Sequence, residues 1–146
     1  MKEVEFAALA IALAISVATD LRSRLVLNIV TLPALAVVLL SAFVAGGRGL
    51  LVNSLWGVLA CAGPLLLASL PGWIGMGDVK LMAVVGAALG WPAALAALFW
   101  VTVAGGAQAA LQLIIARVRG AEKPKYVPYA CAIAAGTLAA IFIGIP

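Results

Sequence analysis

The sequence predicts an all-α, polytopic membrane protein of about six transmembrane helices with both termini outside, on three observations. Hydrophobic residues make up 66% of the 146-residue chain and charged residues 10%, against roughly 45–50% and about 25% in soluble domains. Mean hydropathy is +1.25, which means more apolar surface than a soluble fold of this length is able to hide. Strand-like alternation is absent, and runs of Ala, Leu and Val broken by Gly and Pro suit helices, which satisfy their own backbone polar groups inside a bilayer.

With charges and turn residues as punctuation, the apolar runs are 4–19, 29–45, 50–70, 79–90, 93–116 and 127–145. A crossing needs about 20 apolar residues, so the chain makes at most roughly six with short connections. It is expected to form one transmembrane domain over 1–146, with no separate soluble domain. Glu3 and Glu5 counter Lys2 ahead of the first run, so that run reads as a retained helix rather than a secretory signal. The fourth run is short, and Trp91-Pro92 after it is either a tight turn or a kink inside one long helix.

The net charge of +4 reflects topology rather than a nucleic-acid partner. Arg22, Arg24, Lys80, Arg117, Arg119, Lys123 and Lys125 share one side if there are six crossings, while Lys2, Glu3, Glu5 and Arg48 take the other. The positive-inside bias makes the basic side cytoplasmic.

The chain has no histidine, which removes the Ser-His triad and His-ligated metal sites together. Cys61 and Cys131 lie in separate apolar runs with no second Cys nearby and read as core packing. Neither a metal nor a cofactor is expected. Gly86 with Gly90, and the Gly105-Gly106 pair, read as places of close helix contact.

Among the five acidic residues, Glu3, Glu5 and Glu122 are expected to be solvated. Asp20 ends the first helix and Asp78 begins the fourth, so both are expected at the cytoplasmic boundary. Asp78 alone is explained as a helix N-cap. Asp20 lies at the negative end of its own helix at membrane depth, where an acid is costly. These settings predict an ionised Asp78 beside a protonated Asp20, the division of labour in an aspartic protease dyad. Gly75 and Gly77 before Asp78 leave room for a substrate backbone.

Gly75-Met76-Gly77-Asp78-Val79-Lys80 matches the GxGDxK signature of the prepilin peptidases, which are membrane aspartic proteases. Asp20-Leu21-Arg22-Ser23-Arg24, followed by Asn28, resembles that family's D-x-R-x-R-x-I-P-N stretch, with Leu27 in place of the proline. Val127-Pro128-Tyr129 resembles a further family element. The larger members carry an added domain with paired Cys-x-x-Cys motifs, which this sequence lacks, so it resembles the short, peptidase-only Flp/Tad-type branch.

The resemblance implies cleavage of a short basic leader from a prepilin or pseudopilin at the cytoplasmic face of the bacterial inner membrane. Asp20 and Asp78 match the catalytic positions, with Gly75, Gly77, Lys80 and Asn28 as supporting or substrate-binding residues. Lys80 either steadies the dyad or a substrate carbonyl, or snorkels to the headgroups. Asn28 either bonds loop carbonyls or caps the second helix, as its position suggests. Two other readings compete. A presenilin-like protease would pair GxGD with Tyr-Asp, whereas Thr19 precedes Asp20 here. A small transporter or assembly subunit would use the acids as a proton relay, usually nearer mid-membrane.

Overall fold

The computed structural model describes residues 2–23, 25–72, 74–119 and 129–144. They form five helices, α1 (Lys2–Ser23), α2 (Asn28–Ser69), α3 (Met76–Leu89), α4 (Ala93–Val118) and α5 (Tyr129–Ile143), with no strand among the described residues. The expected all-α class holds. Arg24 and the 120–128 connection, with Glu122, Lys123, Lys125 and the Val127-Pro128 pair, lie outside the described residues.

In α1, Glu3 and Glu5 fall in the first turn and Arg22 in the last, each complementing the helix dipole. Its buried face runs Glu5, Leu9, Ala12, Leu13, Ser16 and Asp20, a spacing of three and four residues that marks one side of a helix. Glu5 departs from expectation. It is buried, and Ser41 Oγ of α2 donates to its Oε1 at 3.3 Å, so this acid joins two helices instead of facing water.

The 42-residue α2 absorbs both the second and the third apolar run. Drawn straight, such a helix is roughly 63 Å long. Its two ends nevertheless reach one place: Lys80 Nζ donates to Asn28 Oδ1 at 2.8 Å, and Ser69 Oγ donates to Met76 Sδ at 3.3 Å, one turn apart on α3. The helix therefore doubles back, and it does so at Gly46 and Gly47, where φ/ψ leave the helical region. Gly47 has φ +60, a value that glycine adopts without the Cβ clash other residues incur. Five helices thus make six arms.

Residues Leu81 to Ala88 of α3 are all buried, which makes this short apolar helix the centre of the bundle. It packs against the second arm of α2 with backbone nearly touching backbone: a Cβ on Gly57 would overlap Gly86 O, and one on Gly86 would overlap Gly57 O. The glycine spacing read from the sequence thus has a partner. A Cβ on Gly90 would meet Asn53 Oδ1 at 3.2 Å, one on Gly105 would overlap the Tyr129 ring, and Gly106 borders open space.

Trp91-Pro92 is a turn. Cys61 Sγ donates to Ala94 O at 3.2 Å, while a Cβ on Gly86 would lie 3.0 Å from Cys61 Cβ, so Gly86 and Ala94 flank one side chain and the chain must reverse between them. α4 and α5 are antiparallel. Trp100 Nε1 donates to Gly144 O at 2.8 Å, and Gly136 packs on the Val101 backbone.

Only α1, α2 and α4 are long and apolar enough to cross a membrane. With 14 and 15 residues, α3 and α5 reach roughly 21–23 Å, short of the ~30 Å hydrocarbon core. The exterior is apolar: Ile29, Val44, Val118 and Phe142 are each at least 74% exposed, a surface that lipid solvates and water does not.

The alternating arms give the bundle two ends. One gathers Asp20, Asn28, Ser69, Met76 and Lys80, along with the exposed Arg22, Arg117 and Arg119. The other holds Glu5 with Ser41, the α2 bend with Arg48, and Asn53, whose Oδ1 accepts from Trp91 N at 2.6 Å.

Candidate functional site

The candidate site lies at the basic end, where α1, α3 and α5 converge. Asp20 is in the last turn of α1, only 1% exposed. Its Oδ2 accepts the backbone N–H of Ala130 at 3.1 Å. Ala130 is the second residue of α5, so the carboxyl sits on an unsatisfied donor of that helix's first turn, the usual place for an acidic cap. The cap comes from another helix, α1.

Asp78 lies one turn into the α3 N-terminus. Gly75 is the N-cap residue, in extended backbone, and accepts Asp78 N at 3.1 Å through its carbonyl. Asp78 is therefore at the third helical position, correcting its expected place as the cap. Asp20 ends α1 and Asp78 begins α3, so two carboxylates far apart in sequence lie at the same end of the bundle. Asp20 lies at the positive end of α5 as well as the negative end of α1. Helix ends therefore do not separate the two acids in the way the sequence suggests.

The two glycines have different surroundings. A Cβ on Gly77 would lie 2.7 Å from Val26 Cβ, so this glycine lets the α1–α2 connection press against the first turn of α3. Gly75 is exposed, and a Cβ there would sit 3.5 Å from Asp78 Oδ2, an ordinary contact. Room beside the acid belongs to Gly75, while Gly77 serves packing. Gly77→Ala is expected to lower stability by about 1–3 kcal/mol, as overpacking does, whereas Gly75→Ala keeps wild-type stability. Thermal unfolding of the two variants in detergent checks this, and equal midpoints would contradict the division.

Asn28 does not cap α2. Leu27 is the N-cap residue, no side chain bonds there, and Leu27 O accepts Val30 N and Thr31 N at 3.0 and 3.1 Å. Asn28 instead accepts the Lys80 ammonium at 2.8 Å, tying the start of α2 to α3. Two residues apart on a helix do not share a face, which is why Lys80 turns to Asn28 and not toward Asp78. Leu27, with φ −78 and ψ 125, holds the backbone that a proline would hold there.

Sequence reasoning missed two neighbours in α5. Tyr129 and Cys131, the latter read as packing, flank Ala130, whose N–H bonds Asp20 Oδ2. Their position in the first turn of a helix that caps onto Asp20 is a tertiary fact. The only hint in the sequence was the Val127-Pro128-Tyr129 element.

Fold and site together define a helical membrane protein with two carboxylates converging at one end of its bundle. The sequence pattern of the type IV leader peptidase family matches residues 7–110, and the chain belongs to that family. It is a protease of the prepilin leader peptidase type. The match takes in both aspartates, while α5 lies beyond it. No curated protein and no solved structure matches the chain.

Proposed function

We propose that this chain is an aspartic endopeptidase of the inner membrane that removes the short basic leader from Flp/Tad-like prepilins or pseudopilins. The observation that carries this reading is the placement of Asp20 and Asp78, from separate helices, at the same end of the bundle. Gly75, Gly77, Lys80 and Asn28 support the pair through packing and the α2–α3 tie.

Two carboxyls brought within hydrogen-bond reach hold one proton between them, because mutual repulsion opposes ionising both. The ionised member takes a proton from water as the oxygen attacks the scissile carbonyl. The protonated member donates to the developing oxyanion. When the tetrahedral intermediate collapses, the C–N bond breaks and the amine of the mature pilin leaves with the proton taken from water. Water has then been divided between a new carboxyl and a new amine.

Arg22, Lys80, Arg117 and Arg119 at the site's end support a cytoplasmic active site and outward termini. The six arms support six crossings, with α3 shielded from lipid by its neighbours. An acid pair at the end of the bundle favours proteolysis over a mid-membrane proton relay.

The test is co-expression with a Flp-type prepilin, reading leader removal as a gel shift. Wild type is expected to shorten the pilin, and a transporter would leave it whole. The rate is expected to follow a bell-shaped curve with pH. It falls as acid protonates the base, and falls again as alkali removes the shared proton. A rate that stays flat from acid to alkaline pH would rule out a shared-proton pair.

A further inference from the structure

Among the described residues, two buried side-chain polar atoms have no hydrogen-bond partner, Ser16 Oγ and Gln112 Oε1. Ser16 is the one aligned with the acids. It is 0% exposed and lies four residues before Asp20 on the buried face of α1. Two other buried hydroxyls are satisfied by their own helix: Thr137 Oγ1 donates to Ile133 O at 2.7 Å and Thr31 Oγ1 to Leu27 O at 3.4 Å. Ser16 makes no such bond. An apolar interior penalises an unmatched hydroxyl, so packing alone favours alanine at this position and does not explain serine.

Residues four apart on a helix stack on one face, with Cβ atoms about 5–6 Å apart. A hydroxyl and a carboxyl at that spacing reach each other directly once the serine turns to another staggered rotamer. The polar group one turn above Ser16 is the Asp20 carboxyl, which Ala130 N–H already fixes from the α5 side. We propose that Ser16 is a positioning residue for the acid pair, its hydroxyl turning to donate directly to the Asp20 carboxyl from within α1. The carboxyl is then held from two directions, and its orientation toward Asp78 is set before substrate arrives. Ser16 touches neither substrate nor the reacting atoms and acts only through Asp20. The inference rests on the proteolytic reading of the site.

The experiment compares wild type, Ser16→Ala and Ser16→Thr as full-length protein in detergent, with initial rates of prepilin cleavage measured against substrate concentration and thermal midpoints measured in parallel. Ser16→Ala is expected to keep or raise the midpoint while kcat falls about tenfold, the rate equivalent of one hydrogen bond, with KM unchanged. Ser16→Thr restores the hydroxyl and is expected to recover most of kcat. If the added methyl prevents folding, Ser16→Cys, similar in size with a weak donor, replaces it and should fall between alanine and serine.

Wild-type kcat in Ser16→Ala overturns the proposal alone. So does a fall in kcat that tracks a fall in midpoint and is not recovered by threonine or cysteine, since that is a packing effect. A wild-type protein that leaves the prepilin whole removes the proteolytic reading and this inference with it.

Discussion

Asp20→Asn and Asp78→Asn are each expected to abolish measurable leader removal, with a rate loss of roughly 10²–10⁴-fold, the range for removing a positioned acid or base. Asparagine keeps the shape of aspartate and an acceptor for the Ala130 N–H that bonds Asp20 Oδ2 at 3.1 Å, so the α1–α5 junction survives. Loss of rate then reports lost chemistry rather than lost fold. Because the acids work as one unit, the double variant should be little worse than either single one. Quantified gel shifts across the three variants, alongside wild type, check this. A normal rate in either single variant would remove the paired-acid mechanism, since neither carboxyl alone is able to supply both the base and the proton.

The second large effect is expected far from the acids, at Gly57 and Gly86. A methyl on either residue would overlap the carbonyl of the other, so α2 and α3 must move apart along the contact that centres α3 in the bundle. Gly57→Ala and Gly86→Ala are expected to cost about 3 kcal/mol, the upper part of the range for overpacking. Small residues are what bring helices together in lipid, where no hydrophobic force between them does so. Activity should fall with stability, because α3 carries Asp78. Gly106→Ala is the control: a Cβ there meets nothing within 4 Å, so its unfolding curve should match wild type. Unfolding midpoints of the three variants in detergent decide the matter, and a Gly86→Ala protein as stable as Gly106→Ala would contradict the packing described.

The tie between Asn28 and Lys80 clarifies how a short motif operates. Its residues do not all surround the acid. Lys80 reaches back to the start of α2, Gly77 accommodates Val26, and Gly75 alone borders the Asp78 carboxyl, where a Cβ would make an ordinary contact. Most of the motif therefore fixes the α1–α2 connection against α3, which is what carries Asp20 up to Asp78. The spacing between Asp20 and Asn28 has the same physical content: it sets the length of the connection that must reach α3.

The helical class, the positions of the apolar segments and the placement of Asp20 and Asp78 at helix ends were all legible in the sequence. Composition and run length are local properties, and a bilayer imposes one backbone solution on them. The basic residues fell on the side that also holds the acids because alternating arms follow from segment count alone. The sequence did not show that two of its apolar runs form a single helix folded on itself at Gly46 and Gly47, that Glu5 is buried against Ser41, or that Asn28 bonds a lysine instead of capping. Nor did it show that Asp20 caps α5. Each of these depends on which helix lies beside which, and that is decided by how closely backbones approach at glycines and by where orphaned N–H groups find acceptors. Such contacts join residues far apart in the chain, so no local pattern records them.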